Sequence, residues 1–156
     1  MHTKNLIAKK LSLNILPHDY KELSSALESK LDLLTKHILI DQNLSELTVN
    51  LKLVSSNEMI KLNADFRSKK LDTNVLSFEA SKDMQKISGE LGDIVMSLPF
   101  IQSESQNLNR GLEDHMMHLL AHGILHLIGF DHSDNKYANI MEAQEIKYLE
   151  FFKIAN

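Results

Sequence analysis

The stretch AHGILHLIGFDH, residues 121–132, sets His122, His126 and His132 at spacings suited to holding one metal ion. His122 and His126 are four residues apart, so in a helix they share one face, a turn apart. Gly129 follows three residues after His126. A glycine there can take positive φ, end the helix and turn the chain back, so that His132 approaches the ion from a third direction. Three neutral imidazoles with an open fourth position are the pattern of a catalytic zinc site. Imidazole also suits iron, copper and nickel. A structural zinc is normally closed by a fourth protein ligand, commonly cysteine, and this chain has no cysteine.

His115 and His118 extend the same helical face. The run His118, His122, His126 would span two turns, about 12 Å of rise, too long for one ion about 2 Å from each nitrogen. These two histidines read as neighbours of the site, substrate contacts or rival ligands. Asp131 reads equally as a group orienting a ligand imidazole and as a turn residue. The histidine spacing, with its glycine, is that of the extended zinc-protease motif H-E-x-x-H-x-x-G-x-x-H. In that motif the glutamate after the first histidine is the general base. Here the position is Gly123, which cannot take a proton.

The elements that must position these groups follow from periodicity. Leu11, Leu13 and Ile15 alternate as a first strand closed by Pro17, and Leu47, Val49, Leu51 and Leu53 as a second. Tyr20, Leu23, Leu27, Leu31, Leu34 and Ile38 step by three or four and predict an amphipathic helix. Ser55 and Glu58 have capping-box spacing for a helix with Met59, Leu62 and Phe66 on one face. Residues 74–80 predict a third strand, 82–89 a loop, and 90–98 a fourth strand. A helix follows Pro99. Another runs from Leu112 to about Ile128 and stops at Gly129. Ser133 or Asp134 caps a last helix through Tyr137, Met141, Tyr148 and Phe152. The expected fold is α+β: a small mixed sheet of about four strands packed with helices, one of which carries the metal site as in zincins.

The 156 residues fit one domain, 1–156, large enough to fold without disulfides. The N-terminal MHTKNLIAKKLSLNIL lacks the apolar core and cleavage site of a signal peptide. No stretch reaches the roughly 18 apolar residues of a membrane span. The expected location is therefore the cytoplasm, with no membrane partner. A net charge of −4 argues against broad electrostatic binding of nucleic acid. The charge is uneven, however. Lys52–Lys86 carries seven basic and five acidic residues, Gly111–Asn156 three and seven. The middle of the chain can thus present a local basic patch.

HGILHLIGFDH closely resembles the H-G-x-L-H-L-x-G-[YF]-D-H signature of the YbeY family of bacterial endoribonucleases, also called rRNA maturation factors. LNADFRSKKLDTNVLSF, 62–78, is similar to that family's L-N-x-x-[YF]-R-x-x-x-x-P-T-[DN]-V-L-S-F segment, and GELGDIVMS, 89–97, to its L-G-D-I strand. The three blocks lie in family order and cover most of the chain after about Leu47. The resemblance implies one zinc ion on His122, His126 and His132, and cleavage of single-stranded RNA. It further implies maturation of the 3′ end of small-subunit (16S) rRNA, ribosome quality control, and partnership with small-subunit ribosomal proteins and an assembly GTPase. The family's functional arginine falls on Arg67, whose planar, permanently charged guanidinium suits the developing charge of a phosphodiester under attack. Lys69 and Lys70 beside it can track the phosphate backbone. Thr73 and Ser77 read as strand-edge packing. Asp72 stands where the family usually has proline, which places the stiffness of the loop after Arg67 in question. The nucleophile, hydroxide or the RNA 2′-OH, stays open. So does the general base, for which His118, Asp131 and His115 are candidates. Two other classes are consistent with the metal scaffold: a protease-like metallohydrolase, which Gly123 disfavours, and an assembly factor whose metal is mainly structural.

Overall fold

The computed structural model describes residues 10–154. The N-terminal stretch read for a leader lies largely outside them, as do both ends of the expected domain. Along the described chain run β1 (Leu13–Ile15), α1 (Ser25–Asp41), β2 (Thr48–Val54), α2 (Ser56–Arg67), β3 (Val75–Glu79), α3 (Lys82–Ser88), β4 (Glu90–Ser97), α4 (Leu98–Asn107), α5 (Leu112–Ile128) and α6 (Asn135–Phe151). The four strands form one mixed sheet in the order β1-β2-β4-β3. β2 lies parallel to both β1 and β4, and β3 runs antiparallel to β4 at the sheet edge. This is the expected α+β fold.

The packing follows from where the apolar side chains fall. Val49, Leu51, Ile94 and Met96 alternate toward the main core, where α1 and α5 bury their own apolar residues. Leu27, Leu31, Leu34 and Ile38 of α1 are wholly buried, each contributing about 1.5–3 kcal/mol of burial. α5 is apolar on every side but its histidine face, with Met116, Leu120, Ala121, Ile124 and Leu125 fully buried. That is the signature of a central helix. The opposite sheet face holds a smaller cluster of Val54, Leu76 and Val95 under Met59 of α2. α6 is tied to α1 by the buried Tyr148, whose hydroxyl donates to Asp41 and accepts from Gln42 at 2.8 Å.

The structure corrects several boundaries. The segment expected as a loop at 82–89 is α3, capped by Ser81, whose Oγ accepts from Met84 N–H at 3.2 Å, and closed by Gly89 at φ 73°. Its only long apolar side chains, Met84 and Ile87, are exposed and form no buried stripe, so no helical period marks it in the sequence. α1 begins after Ser24, whose Oγ accepts from Leu27 N–H. Tyr20 and Leu23 pack into the core from the turn before it. Leu11 is exposed and precedes the strand. Asp134, not Ser133, caps α6 by accepting from Tyr137 N–H at 2.9 Å, while Tyr137 itself is exposed. Ser55 caps α2 as expected, accepting from Glu58 N–H at 3.2 Å. The Glu58 carboxylate lies 3.9 Å from Lys52. Phe66, on the same face of α2 as Met59 and Leu62, is 64% exposed.

Candidate metal centre and the cleft around it

α5 ends where the sequence places its stop. Gly129 sits at φ 118°, its N–H shared between the carbonyls of Leu125 (3.2 Å) and His126 (3.1 Å), and Phe130 N–H returns to Leu125 C=O at 3.0 Å. A side chain at that φ would be strained, so the turn depends on glycine. The reversal brings the ring of His132 to 5.5 Å from that of His122 and 4.9 Å from that of His126, centroid to centroid. One nitrogen from each of the three lies within 4.8 Å of the others. His122 Nε2 and His126 Nε2 are 3.1 Å apart. Two ligands of a tetrahedral zinc, each about 2.0–2.1 Å from the ion, stand about 3.3 Å apart. The cluster therefore has the spacing and donor set to hold a metal ion. It is the one such convergence of histidine and carboxylate groups among the described residues.

Burial is the main reason the His126 pKa falls to about 4; the neighbouring His122 and His132, and more weakly Arg67, push it the same way. The ring is neutral near pH 7, as a ligand must be.

Glu145 of α6, which sequence reasoning missed, organises the cluster from behind. Its buried carboxylate lies 3.0 Å from His122 Nδ1 and 2.8 Å from His118 Nε2. Burial alone would raise its pKa, but the hydrogen bonds from His118 and His122 outweigh that and hold it at about 2. An ionised carboxylate only accepts, so both rings must donate to it. His122 then carries its proton on Nδ1 and turns the Nε2 lone pair toward His126. His118 Nδ1 is left to accept from Arg110 Nη1 at 2.9 Å. Both nitrogens of His118 are thus engaged, which weighs against it as a free general base. A carboxylate oriented this way raises imidazole basicity and fixes the ring. Glu145→Gln should accordingly weaken zinc affinity about 10–100-fold. Competition against a chromogenic chelator measures this, and an unchanged affinity would refute the orienting role.

The remaining sequence candidates fall as follows. His115 is buried on α5 and meets Glu104 of α4 at 2.7 Å, and Asn74 Nδ2 donates to the same Glu104 oxygen at 3.0 Å. Asp131 takes the turn role: its Oδ1 accepts from Ser133 N–H and Oγ–H at 3.2 and 3.0 Å, which lowers its pKa. Ser77 serves packing, donating to Gly123 C=O at 3.2 Å. Gly123 itself is buried; a Cβ there would meet Ile94 Cδ1 at 3.1 Å and Ser77 Oγ at 3.2 Å. Its job is to let α5 approach the β3–β4 edge. Installing the protease-type base, Gly123→Glu, should therefore destabilise the fold by about 1–3 kcal/mol from overpacking. Chemical denaturation reads this directly, and a variant as stable as the parent would overturn it.

Arg67 ends α2. Ser68 takes a left-handed conformation at φ 56° and Lys69 N–H bonds back to Asn63 C=O at 3.2 Å. The buried Asn63 then donates to Leu71 C=O at 2.9 Å and closes the loop. Asp72, at the position of the family's proline, accepts from Thr73 N–H at 2.9 Å. A side chain to backbone bond thus holds a turn that a proline ring would otherwise stiffen. Arg67, Thr73, Asn74 and Ser77 line the same cleft as His122, His126 and His132, a cavity of about 830 Å³.

These observations define an α+β domain built round a three-histidine cluster in an open cleft. The chain belongs to the Endoribonuclease YbeY family, whose model matches residues 10–153. Endoribonuclease YbeY of Francisella tularensis subsp. novicida is 37% identical over 153 residues, covering 94% of this chain and 91% of its own length. That of subsp. holarctica is 36% identical over the same span. The solution structure of TM1509 from Thermotoga maritima superposes with a TM-score of 0.63 at 27% identity, over 88% of this chain and 87% of that one.

Proposed function

We propose that this chain, as a single domain over 1–156, is a metal-dependent endoribonuclease that cuts single-stranded RNA. Its place is the maturation of the 3′ end of small-subunit (16S) rRNA and ribosome quality control, in the cytoplasm. His122, His126 and His132 hold one zinc ion and Arg67 faces the scissile phosphate. The observation that carries this reading is the shared cleft: a convergent histidine cluster and a permanently charged guanidinium line one cavity. Zinc bound there would supply Lewis-acid stabilisation of phosphoryl charge and a more acidic water. Arg67 binds non-bridging oxygens as charge develops on them. Glu145 keeps His122 in the required tautomer.

Cleavage forms a new oxygen–phosphorus bond and breaks the bond from phosphorus to the leaving oxygen, which must gain a proton. A 2′,3′-cyclic phosphate on the product would identify the RNA's own 2′-OH as nucleophile; a 5′-phosphate opposite a free 3′-OH would identify water. The overall negative charge of the chain, −4, fits recruitment to rRNA through small-subunit ribosomal proteins and an assembly GTPase. No helix among the described residues is long and apolar enough to cross a membrane.

The test is cleavage of single-stranded RNA and of casein, with and without chelator. RNA cut only without chelator supports the proposal. Cleavage of casein would replace it with a metalloprotease, and inactivity on both with tight ribosome binding would replace it with an assembly factor.

A further inference from the structure

The apolar stripe of α2 runs Met59, Leu62, Phe66. Met59 is buried in the smaller core cluster and Leu62 is packed on it. Phe66 continues the stripe beyond the cluster and is left 64% exposed. It is not loose. Its ring meets Phe78 of β3 edge-on, with centroids 5.0 Å apart and planes at 69°, a preferred geometry for an aromatic pair. Phe78 alternates with Ser77, whose hydroxyl reaches α5, so the pair stands on the opposite side of the edge strand from that contact. A large aromatic ring is therefore braced, with much of its surface in water, one residue from the cleft-lining Arg67.

The charge around it has one sign. Lys61–Leu71 carries Lys61, Arg67, Lys69 and Lys70 against Asp65 alone, in a chain whose net charge is −4. Among the described residues none of those four cations is in an ion pair. An exposed aromatic ring interleaved with uncommitted cations is the combination that binds single-stranded nucleic acid without reading its sequence. Bases stack on the ring and the cations follow the phosphates. A base inside a duplex has both faces covered by its stacked neighbours and offers neither.

We propose that Phe66, braced by Phe78, is a stacking platform for an unpaired base of the substrate strand adjacent to the cut, with Lys69 and Lys70 on the phosphates beside it. This rests on the reading of the chain as a nuclease for single-stranded RNA. It adds where the strand lies outside the catalytic cleft and why it must be single-stranded.

The chain contains no tryptophan, so Phe66→Trp places a lone reporter at the platform. Full-length Phe66→Trp is titrated with a single-stranded oligoribonucleotide, with chelator present so that the strand stays whole. Tryptophan fluorescence should be quenched on single-stranded RNA and not on the same sequence as a duplex. In the parent background, Phe66→Ala should weaken single-strand binding about tenfold, within the range for losing one base–aromatic stack, and Phe66→Tyr should restore it. The loss should appear in KM more than in kcat, with a thermal melt showing the variant still folded at the assay temperature. Unquenched tryptophan with RNA bound, equal quenching by duplex, or Phe66→Ala binding as tightly as the parent would each overturn the platform while leaving the nuclease reading intact. A parent protein that neither binds nor cuts RNA would overturn both.

Discussion

His126→Ala is expected to weaken zinc binding on the order of a hundredfold and to take RNA cleavage to background. His126 is one corner of the triangle the cluster forms, its ring 4.6 Å from that of His122 and 4.9 Å from that of His132, centroid to centroid. Its loss leaves two histidines, a bidentate site. Structural zinc sites bind with about 10–16 kcal/mol over four ligands, so one ligand carries on the order of 3 kcal/mol, about a factor of a hundred. Burial, reinforced by the neighbouring His122 and His132, holds the His126 pKa at about 4. A metal ion bound there would therefore displace no proton from it near pH 7. Competition with a chromogenic chelator gives the affinity, and an assay on a single-stranded oligonucleotide gives the rate. A thermal melt in chelator separates metal loss from unfolding. An affinity equal to the parent's would remove His126 from the ligand set.

The parts of the site that could be read from sequence are local. His122 and His126 are joined by helical periodicity, and His132 by one glycine whose positive φ the sequence forecasts. Such contacts are written within a dozen residues. Glu145 could not be read this way: it lies 23 residues from His122 and 27 from His118, and only the packing of α6 against α5 brings it there. Gly123 carries the opposite lesson. The sequence shows a missing base, whereas the structure shows a close approach, with Ile94 and Ser77 filling the space a side chain would need. The fold divides similarly. Long apolar periods placed α1, α5 and the strands. α3 was hidden because its seven residues bury almost nothing apolar and rest on the caps Ser81 and Gly89. Phe66 fits the helical stripe and still falls outside the core, because β3 ends the sheet there and no further strand among the described residues covers it.

Arg67→Ala should lower kcat about 10²–10³-fold, the cost of removing one preorganised donor from a developing oxyanion, while leaving zinc affinity unchanged. The second half of that expectation separates Arg67 from the histidines. Arg67 belongs to α2, the cluster to α5 and the turn after it, and they share only the cleft. The loop after Arg67 is held by Asn63 and Asp72 through bonds to Leu71 C=O and Thr73 N–H. Truncating the exposed arginine therefore leaves those supports in place. Arg67→Lys keeps the charge but loses the planar pair of donors that grips two oxygens at once, so its rate should fall between those of the parent and the alanine variant. Binding of uncut RNA in chelator should weaken modestly, and the slope of log affinity against log salt should shrink by about 0.7, the value for one phosphate contact on a single strand. A kcat for Arg67→Ala equal to the parent's would return Arg67 to the status of a solvated helix-end residue, and the charge built on phosphorus would then need another partner in the cleft.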